Sequence, residues 1–284
     1  MPRLATHGRP RRWLLGVAVF AAASSALGAP QISPAVDAVW ENSLRAHYFQ
    51  ARPIIESDEV IELDAPPRAE DAALVPLRIK AHIPQTSERY IKTISLVIDK
   101  NPGPLAGRFH FTPRSGRADL ALRVRVNEYT PIRAIAETND GQLYMTRRFV
   151  KASGGCSAPG GADLAAAMSR LGKMKLKLQE DAALGEPQAT QLGISHPNLT
   201  GMQMDQLSRM YTPAHFVKSL KVTFNGTPVF SAETDISVSE NPNFRFYFVP
   251  AEPGTLAAEV EDSKGMKFSH SMEFTPTAQA QVQK

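Results

Sequence analysis

The chain has 284 residues, with 32 Lys+Arg, 28 Asp+Glu and a formal net charge of +4. Hydrophobic residues make up 43% and charged residues 21%, a balance that excludes disorder across most of the chain. A single cysteine excludes an intramolecular disulfide and a cysteine-cluster metal site, while 22 Pro and 18 Gly point to a turn-rich, strand-rich chain.

Residues 1–28 read as an export signal. Arg3, Arg9, Arg11 and Arg12 make a basic start, Trp13 to Ala23 is an apolar run, and Ser24 to Gly28 supplies small residues before a cut after Gly28. The apolar run is too short to span a bilayer comfortably, so no membrane segment is expected after cleavage. Arg11-Arg12 before Trp13-Leu14-Leu15 fits a twin-arginine signal; an ordinary secretory signal with paired arginines fits as well. Cleavage removes four basic and no acidic residues, leaving 28 of each sign. The mature chain is formally neutral, which removes the main argument for a nucleic-acid partner. The implied compartment is an oxidising one, a bacterial periplasm.

Residues 29–151 read as a first β-sandwich domain with an N-terminal helix. Asp37 is expected to cap that helix, with Val39, Trp40, Leu44 and Tyr48 as its apolar positions, and Arg52-Pro53 to stop it. Leu74–Ile83 and Ile91–Ile98 are strand runs, with a turn at Asn101-Pro102-Gly103-Pro104. Leu120 to Val126 alternates with apolar even positions, so Arg123 and Arg125 are expected on the wet face. Ile132–Glu137, Asn139-Asp140-Gly141 and Leu143–Val150 spell a hairpin.

Residues 152–193 read as a Gly-rich arm and a helical linker, with Asp163 starting a helical stretch to about Ala183 on Leu164, Met168, Leu171, Met174 and Leu178. Residues 194–275 read as a second sandwich. Its signals are hairpins at Asn225-Gly226 and Ser263-Lys264-Gly265, and a core face of Phe244, Phe246 and Phe248. Residues 276–284 read as a flexible tail. Residues 29–184 carry 21 basic and 18 acidic residues and residues 185–284 carry 7 and 10, a difference that mildly favours docking of the two halves. The fold class is therefore all-β, two immunoglobulin-like antiparallel sandwiches joined by the arm and linker.

Cys156 is the one side chain with distinctive chemistry. Gly154, Gly155, Ser157, Gly160 and Gly161 surround it and offer no bulk to bury it, so an exposed thiol on a swinging arm is expected. Arg147, Arg148 and Lys151 lie just upstream and would favour the thiolate if the strand end brings them close. With no second cysteine to resolve a disulfide, dithiol oxidoreductase chemistry is excluded.

Four stretches resemble the sulfur-carrier subunit SoxY of bacterial thiosulfate oxidation. They are Glu70-Asp71-Ala72-Ala73-Leu74-Val75-Pro76-Leu77, Asp99-Lys100-Asn101-Pro102-Gly103-Pro104-Leu105, Leu122-Arg123-Val124-Arg125-Val126 and Lys151-Ala152-Ser153-Gly154-Gly155-Cys156. The second half resembles the partner subunit SoxZ at His196-Pro197-Asn198-Leu199-Thr200-Gly201, Pro213-Ala214-His215-Phe216, Asn225-Gly226 and Ser237-Val238-Ser239-Glu240-Asn241-Pro242. The chain looks like a fusion of the two, of the type associated with periplasmic quinoprotein dehydrogenases. The resemblance implies two immunoglobulin-like sandwiches and a carrier cysteine at Cys156 that holds a sulfur-containing group for separate enzymes. It also implies that the partners are periplasmic sulfur-oxidation enzymes or a quinoprotein dehydrogenase system, and that no cofactor is needed. One departure stands out: in separate carrier subunits the arm ends the chain, whereas here Ser157-Ala158-Pro159 and a further domain follow Cys156.

Among the other candidates, His47, His82, His110, His196, His215 and His270 show no metal-ligand spacing. A copper site would need a histidine soon after the cysteine, and the next is His196. His215 reads as a structural histidine at a strand start. Met202, Met204 and Met210 read as packing under a loop. Asn198-Leu199-Thr200 matches a glycosylation acceptor of no use to a bacterial exported protein. Two rivals to a covalent carrier remain: a non-covalent adaptor for a quinoprotein dehydrogenase, and a thiol enzyme with Cys156 as nucleophile.

Overall fold

Alternation of apolar and polar residues builds most of this molecule. In the computed structural model, Val75, Leu77 and Ile79 are buried while Pro76, Arg78 and Lys80 face out, and Leu120, Leu122 and Val124 repeat the pattern. The described residues are 1–2, 34–159, 164–178, 183–205 and 208–276, with side chains described from Asp37 onward. Nearly all of the expected export signal and tail therefore lies outside the described residues. No helix among the described residues is long and apolar enough to cross a membrane.

The chain enters through α1 (Pro34–Val39), a π-helical turn (Trp40–Leu44) and α2 (Arg45–Phe49). The first half then lays down β1 (Ile54–Glu56), β2 (Ile61–Asp64), β3 (Val75–Ala81), β4 (Ile91–Ile98), β5 (Leu105–Phe111), β6 (Leu120–Val124), β7 (Thr130–Thr138) and β8 (Leu143–Val150). After α3 (Leu164–Ser169) the second half adds β9 (Met174–Leu178), β10 (Gln188–Ile194), β11 (Val217–Phe224), β12 (Thr227–Thr234), β13 (Asn243–Phe248), β14 (Gly254–Asp262) and β15 (Lys267–Phe274).

The two halves share both sheets. One sheet runs β1-β8-β7-β4-β5-β12-β11-β14-β15, and the other runs β2-β3-β6-β13-β10-β9. The seam is the antiparallel pairing of β5 with β12, from Phe111 opposite Phe230 to Gly107 opposite Thr234, and of β6 with β13 at Ala121 and Arg245. Buried rings cross the seam: Phe109 meets Phe244 at 6.2 Å and Phe111 meets Phe230 at 5.5 Å between centroids. Ladder hydrogen bonds and apolar burial thus join the halves. Residues 32–284 accordingly form one compact unit.

Two sequence expectations need correction. The helical stretch from Asp163 to Ala183 is helical only at Leu164–Ser169; Met174–Leu178 is strand β9, paired with β10. Met174-Lys175-Leu176-Lys177-Leu178 alternates with period two, and only Leu176 of the five is fully buried. Gly172 separates the two elements at φ +76, where a Cβ would strike the Phe268 ring at 2.0 Å. Asp37 caps nothing: it lies inside the helical segment and binds arginines instead.

That binding anchors the N-terminal helix. Trp40, Leu44 and Phe49 pack with Val97, Ile135, Leu143 and Met145 on the outer face of the longer sheet. Beneath them Arg133, fully buried, donates from Nε to both Asp99 oxygens at 3.0 Å, bonds Asp37 through Nη2, and stacks 4.6 Å from the Trp40 ring centre. Arg147 completes the group with a 2.6 Å bond to Asp37. Burial pushes the Asp99 carboxyl up, and the Arg133 hydrogen bonds work against that shift. Arg133→Ala would leave Asp99 buried without its cation and is expected to lower unfolding free energy by about 3 to 5 kcal/mol, read from urea titration.

Candidate functional site

The thiol lies at the seam between the halves. After β8, Gly154 N–H donates to Asn127 O and Gly155 N–H donates to Val126 O, so the loop is bound to the residues that follow β6. Gly154 takes φ +79, open to glycine at no steric penalty. Gly155 is required for a different reason: a Cβ there would meet Ala72 O at 2.0 Å and Val126 O at 2.7 Å. Ser157 and Ala158 N–H groups return to Gly154 O at 3.3 and 2.9 Å and close a compact turn around Cys156.

The expected exposed thiol is therefore corrected: Cys156 is buried, with 0% exposure. The loop gains its cover from the rest of the fold, which composition alone does not reveal. The thiol pKa is pushed up to about 11 by burial, with Arg125 pulling it down. Gly160 and Gly161, also assigned to the arm, lie outside the described residues; Gly154, Gly155 and Ser157 belong to the turn.

Arg125 is the residue that strand alternation misplaces. Its position falls on the outward side of the strand, yet the carrier loop and the Asn198 segment cover it to 1% exposure. Nη1 donates to Gly155 O at 3.1 Å and Nη2 to Asn198 O at 3.5 Å, while Nε is buried without a hydrogen-bond partner. Burial lowers its pKa, while the charges of Glu240, Cys156 and Asp71 raise it. Two of the three cations expected near the thiol are engaged elsewhere: Arg147 pairs with Asp37 and Glu56, and Arg148 with Asp58.

The second half holds the loop from the other side. Thr200 Oγ1 lies 2.6 Å from Cys156 O and 2.8 Å from Gln203 Oε1. Asn198, at φ +40 and fully buried, accepts from Val217 N through Oδ1 and donates to Val238 O through Nδ2. Its burial also removes it as a glycosylation acceptor. Asn101 links the halves again, donating to Arg125 O and Ser237 Oγ and accepting from Asn127 N.

Behind Asn198, His196 and His215 converge on Asp262 although they lie far apart in sequence. His215 Nε2 is 2.7 Å and His196 Nε2 3.7 Å from the same Asp262 oxygen, with the rings 4.6 Å apart and all three residues buried. Three such groups can ligate a metal ion in principle. Here, however, His196 Nδ1 accepts the Asn198 N–H at 3.0 Å, which places the ring proton on Nε2 and denies that atom to a metal. His215 is thus hydrogen-bonded to Asp262 and His196 to the Asn198 backbone, while His196 Nε2 and His215 Nδ1 have no hydrogen-bond partner among the described residues. Beside the loop, Ser157, Pro159, Met202, Met204, Arg209 and Tyr211 surround an open hollow of about 460 Å³. Met204, Met210 and Tyr211 are exposed there, so Met204 and Met210 do not pack under a loop as expected.

The fold and the seam define a two-part β-sandwich in which one half carries a lone thiol and the other holds its loop. Residues 45–156 match the family model for sulfur oxidation protein SoxY, and residues 174–273 match that for sulphur oxidation protein SoxZ. The chain belongs to the SoxYZ sulfur carriers, with the SoxY and SoxZ domains fused in one polypeptide. The sulfur carrier protein SoxY from Chlorobium limicola f thiosulfatophilum is 29% identical over 42% of this chain and 96% of that one, with a TM-score of 0.35. A superoxide reductase (neelaredoxin) from Ignicoccus hospitalis is 18% identical over 34% of this chain and 93% of that one, with a TM-score of 0.32. The fibronectin(III)-like modules of Clostridium thermocellum CbhA align over 78% of this chain and 96% of theirs at 11% identity and a TM-score of 0.22. No curated protein matches significantly.

Two tests follow from this geometry. Gly155→Ala is expected to drive the loop off Ala72 and raise the iodoacetamide reaction rate of Cys156 at about pH 8 by roughly tenfold or more, read by mass spectrometry. His196 titrates near 4 because burial, and then His215, disfavour its charged form. A depressed histidine stabilises the fold above its unfolded value of about 6.5 and loses that contribution as pH falls towards 4. Unfolding free energy is expected to drop by about 3 kcal/mol across that window, with a shallower slope in His196→Asn.

Proposed function

We propose that the chain is a periplasmic carrier that holds a sulfur-containing group covalently on Cys156 and presents it to partner enzymes. Those partners are sulfur-oxidation enzymes or a quinoprotein dehydrogenase system. The observation that carries this reading is the position of the thiol: Cys156 closes the SoxY match and its loop is clasped by Thr200 and Asn198 of the SoxZ half. A thiol buried with a pKa of about 11 is protonated and unreactive while the loop is seated. Release of the loop hydrates the thiol, lowers its pKa and exposes it.

Loading then forms one S–S bond between Sγ and a reduced sulfur atom of the substrate. The thiol proton goes to solvent and two electrons go to an oxidoreductase partner; later attack of water on the substrate sulfur breaks the Sγ–S bond, the group leaves with the hydroxyl, and Sγ takes the proton as the free thiol. Because the chain continues through Pro159 into the second half, the loop moves as a flap held at both ends and reaches less far than a free terminus.

The burial of Cys156 favours one rival, a non-covalent adaptor in which the cysteine is a small core residue. Intact mass spectrometry of protein from the producing cell, grown with a reduced sulfur compound, separates the two. The carrier reading expects a mass addition on Cys156 that reductant removes, and loss of pathway function in Cys156→Ala. An unmodified thiol together with full function in Cys156→Ala would establish the adaptor.

A further inference from the structure

The outer face of the shorter sheet is basic on both sides of the seam. Its outward positions carry Arg78 and Lys80 on β3, Arg123 on β6, Arg245 on β13, and Lys175 and Lys177 on β9. Five are exposed and Arg123 is half-buried, and among the described residues none makes an ion pair within 4.0 Å. Acidic residues lie on one margin: Glu62 and Asp64 on β2 stand opposite Lys80 and Arg78, and Asp119 Oδ1 accepts the Ala81 N–H. Among the described residues the cations away from that acidic margin are thus Arg123, Arg245, Lys175 and Lys177, on the seam and beyond it.

The floor between them is low. Ala121, Ala189 and Gln191 lie between the long basic side chains, and two adjoining hollows of about 560 and 580 Å³ share Arg78, Ala121, Gln191 and Arg245. Four inter-strand steps from β3 to β9 span about 19 Å, the length of roughly six extended residues. The groove crosses the strand that leads to the thiol: along β6 the outward positions continue from Ala121 through Arg123 to Arg125, whose guanidinium holds Gly155 O.

We propose that this groove is the docking site for an acidic, extended segment of a partner protein. Carboxylates at successive outward positions of such a segment meet Arg123, Arg245, Lys175 and Lys177 in turn, and the seated partner lies beside the carrier loop. Each contact is solvent-exposed and weak by itself, so binding is the sum of several and is strongly salt-dependent. The inference takes the partner's purpose from the carrier reading, but the groove binds through residues that play no part in thiol chemistry. The groove exists because the six strands form one sheet, so neither half alone supplies it.

The probe is an N-acetylated hexaglutamate peptide titrated into isotope-labelled mature protein and followed by amide NMR, with hexaglutamine as control. Hexaglutamate is expected to shift the amides of Ala121, Gln191 and Arg245 saturably, and its affinity to fall about tenfold or more between about 50 and about 300 mM NaCl. Arg245→Glu with Lys177→Glu, both exposed and free of ion pairs, is expected to abolish those shifts, while Cys156→Ala leaves them intact. Equal binding of hexaglutamine, or unchanged hexaglutamate binding in the double variant, overturns the proposal. In the producing cell, the double variant is expected to load Cys156 several-fold more slowly while reacting normally with a small neutral thiol reagent. Normal loading in that variant defeats the docking site alone; absence of loading in the unaltered protein defeats the carrier reading instead.

Discussion

The guanidinium of Arg125 is the constraint on which the centre of this molecule depends. A buried cation keeps its charge only if fixed dipoles replace the water it has lost. Here those dipoles are the carbonyls of Gly155 and Asn198, one from each half. Each must in turn be held: Gly155 by Val126, Asn198 by His196, Val217 and Val238, and the Arg125 backbone by Asn101 and Ser237. The loop that carries Cys156 is thereby part of a hydrogen-bonded network rather than a free tether.

That network explains why so many separate motifs meet in one place. The Ala72 and Ala73 carbonyls, Asn101, Arg125, the Gly154–Cys156 turn, His196 to Thr200, His215 and Ser237 to Ser239 come from distant parts of the chain. All lie in stretches that resemble the SoxY and SoxZ subunits, and all abut at the seam. That geometry depends on two strand pairings, β5 with β12 and β6 with β13. The linker only has to return the chain to the start of β9.

At Cys156 two effects oppose one another and burial wins. Burial pushes the Cys156 thiol up to about 11, and Arg125 pulls against it. His196, hydrogen-bonded to the Asn198 backbone, and the His215–Asp262 pair lie behind the segment that holds the loop.

Periodicity along the chain was enough to place most strands, because a half-buried sheet face imposes a two-residue alternation that needs no knowledge of neighbours. The hairpins at Asn139-Asp140-Gly141 and Asn225-Gly226, the core face of Phe244, Phe246 and Phe248, and the lone thiol between glycines were all legible in this way. The same rule failed where a distant segment covers an outward position. It set Arg125 in water, although the carrier loop and Asn198 bury it. It also set Cys156 in the open, because small residues look uncovered until the surface that covers them is known. Met174 to Leu178 satisfied a helical spacing as well as a strand alternation, and only pairing with β10 chose between them. The presence of a lone thiol between glycines was thus local information. Its burial, its raised pKa and the residue that tunes it arise from contacts between segments far apart in sequence, which only the tertiary structure brings together.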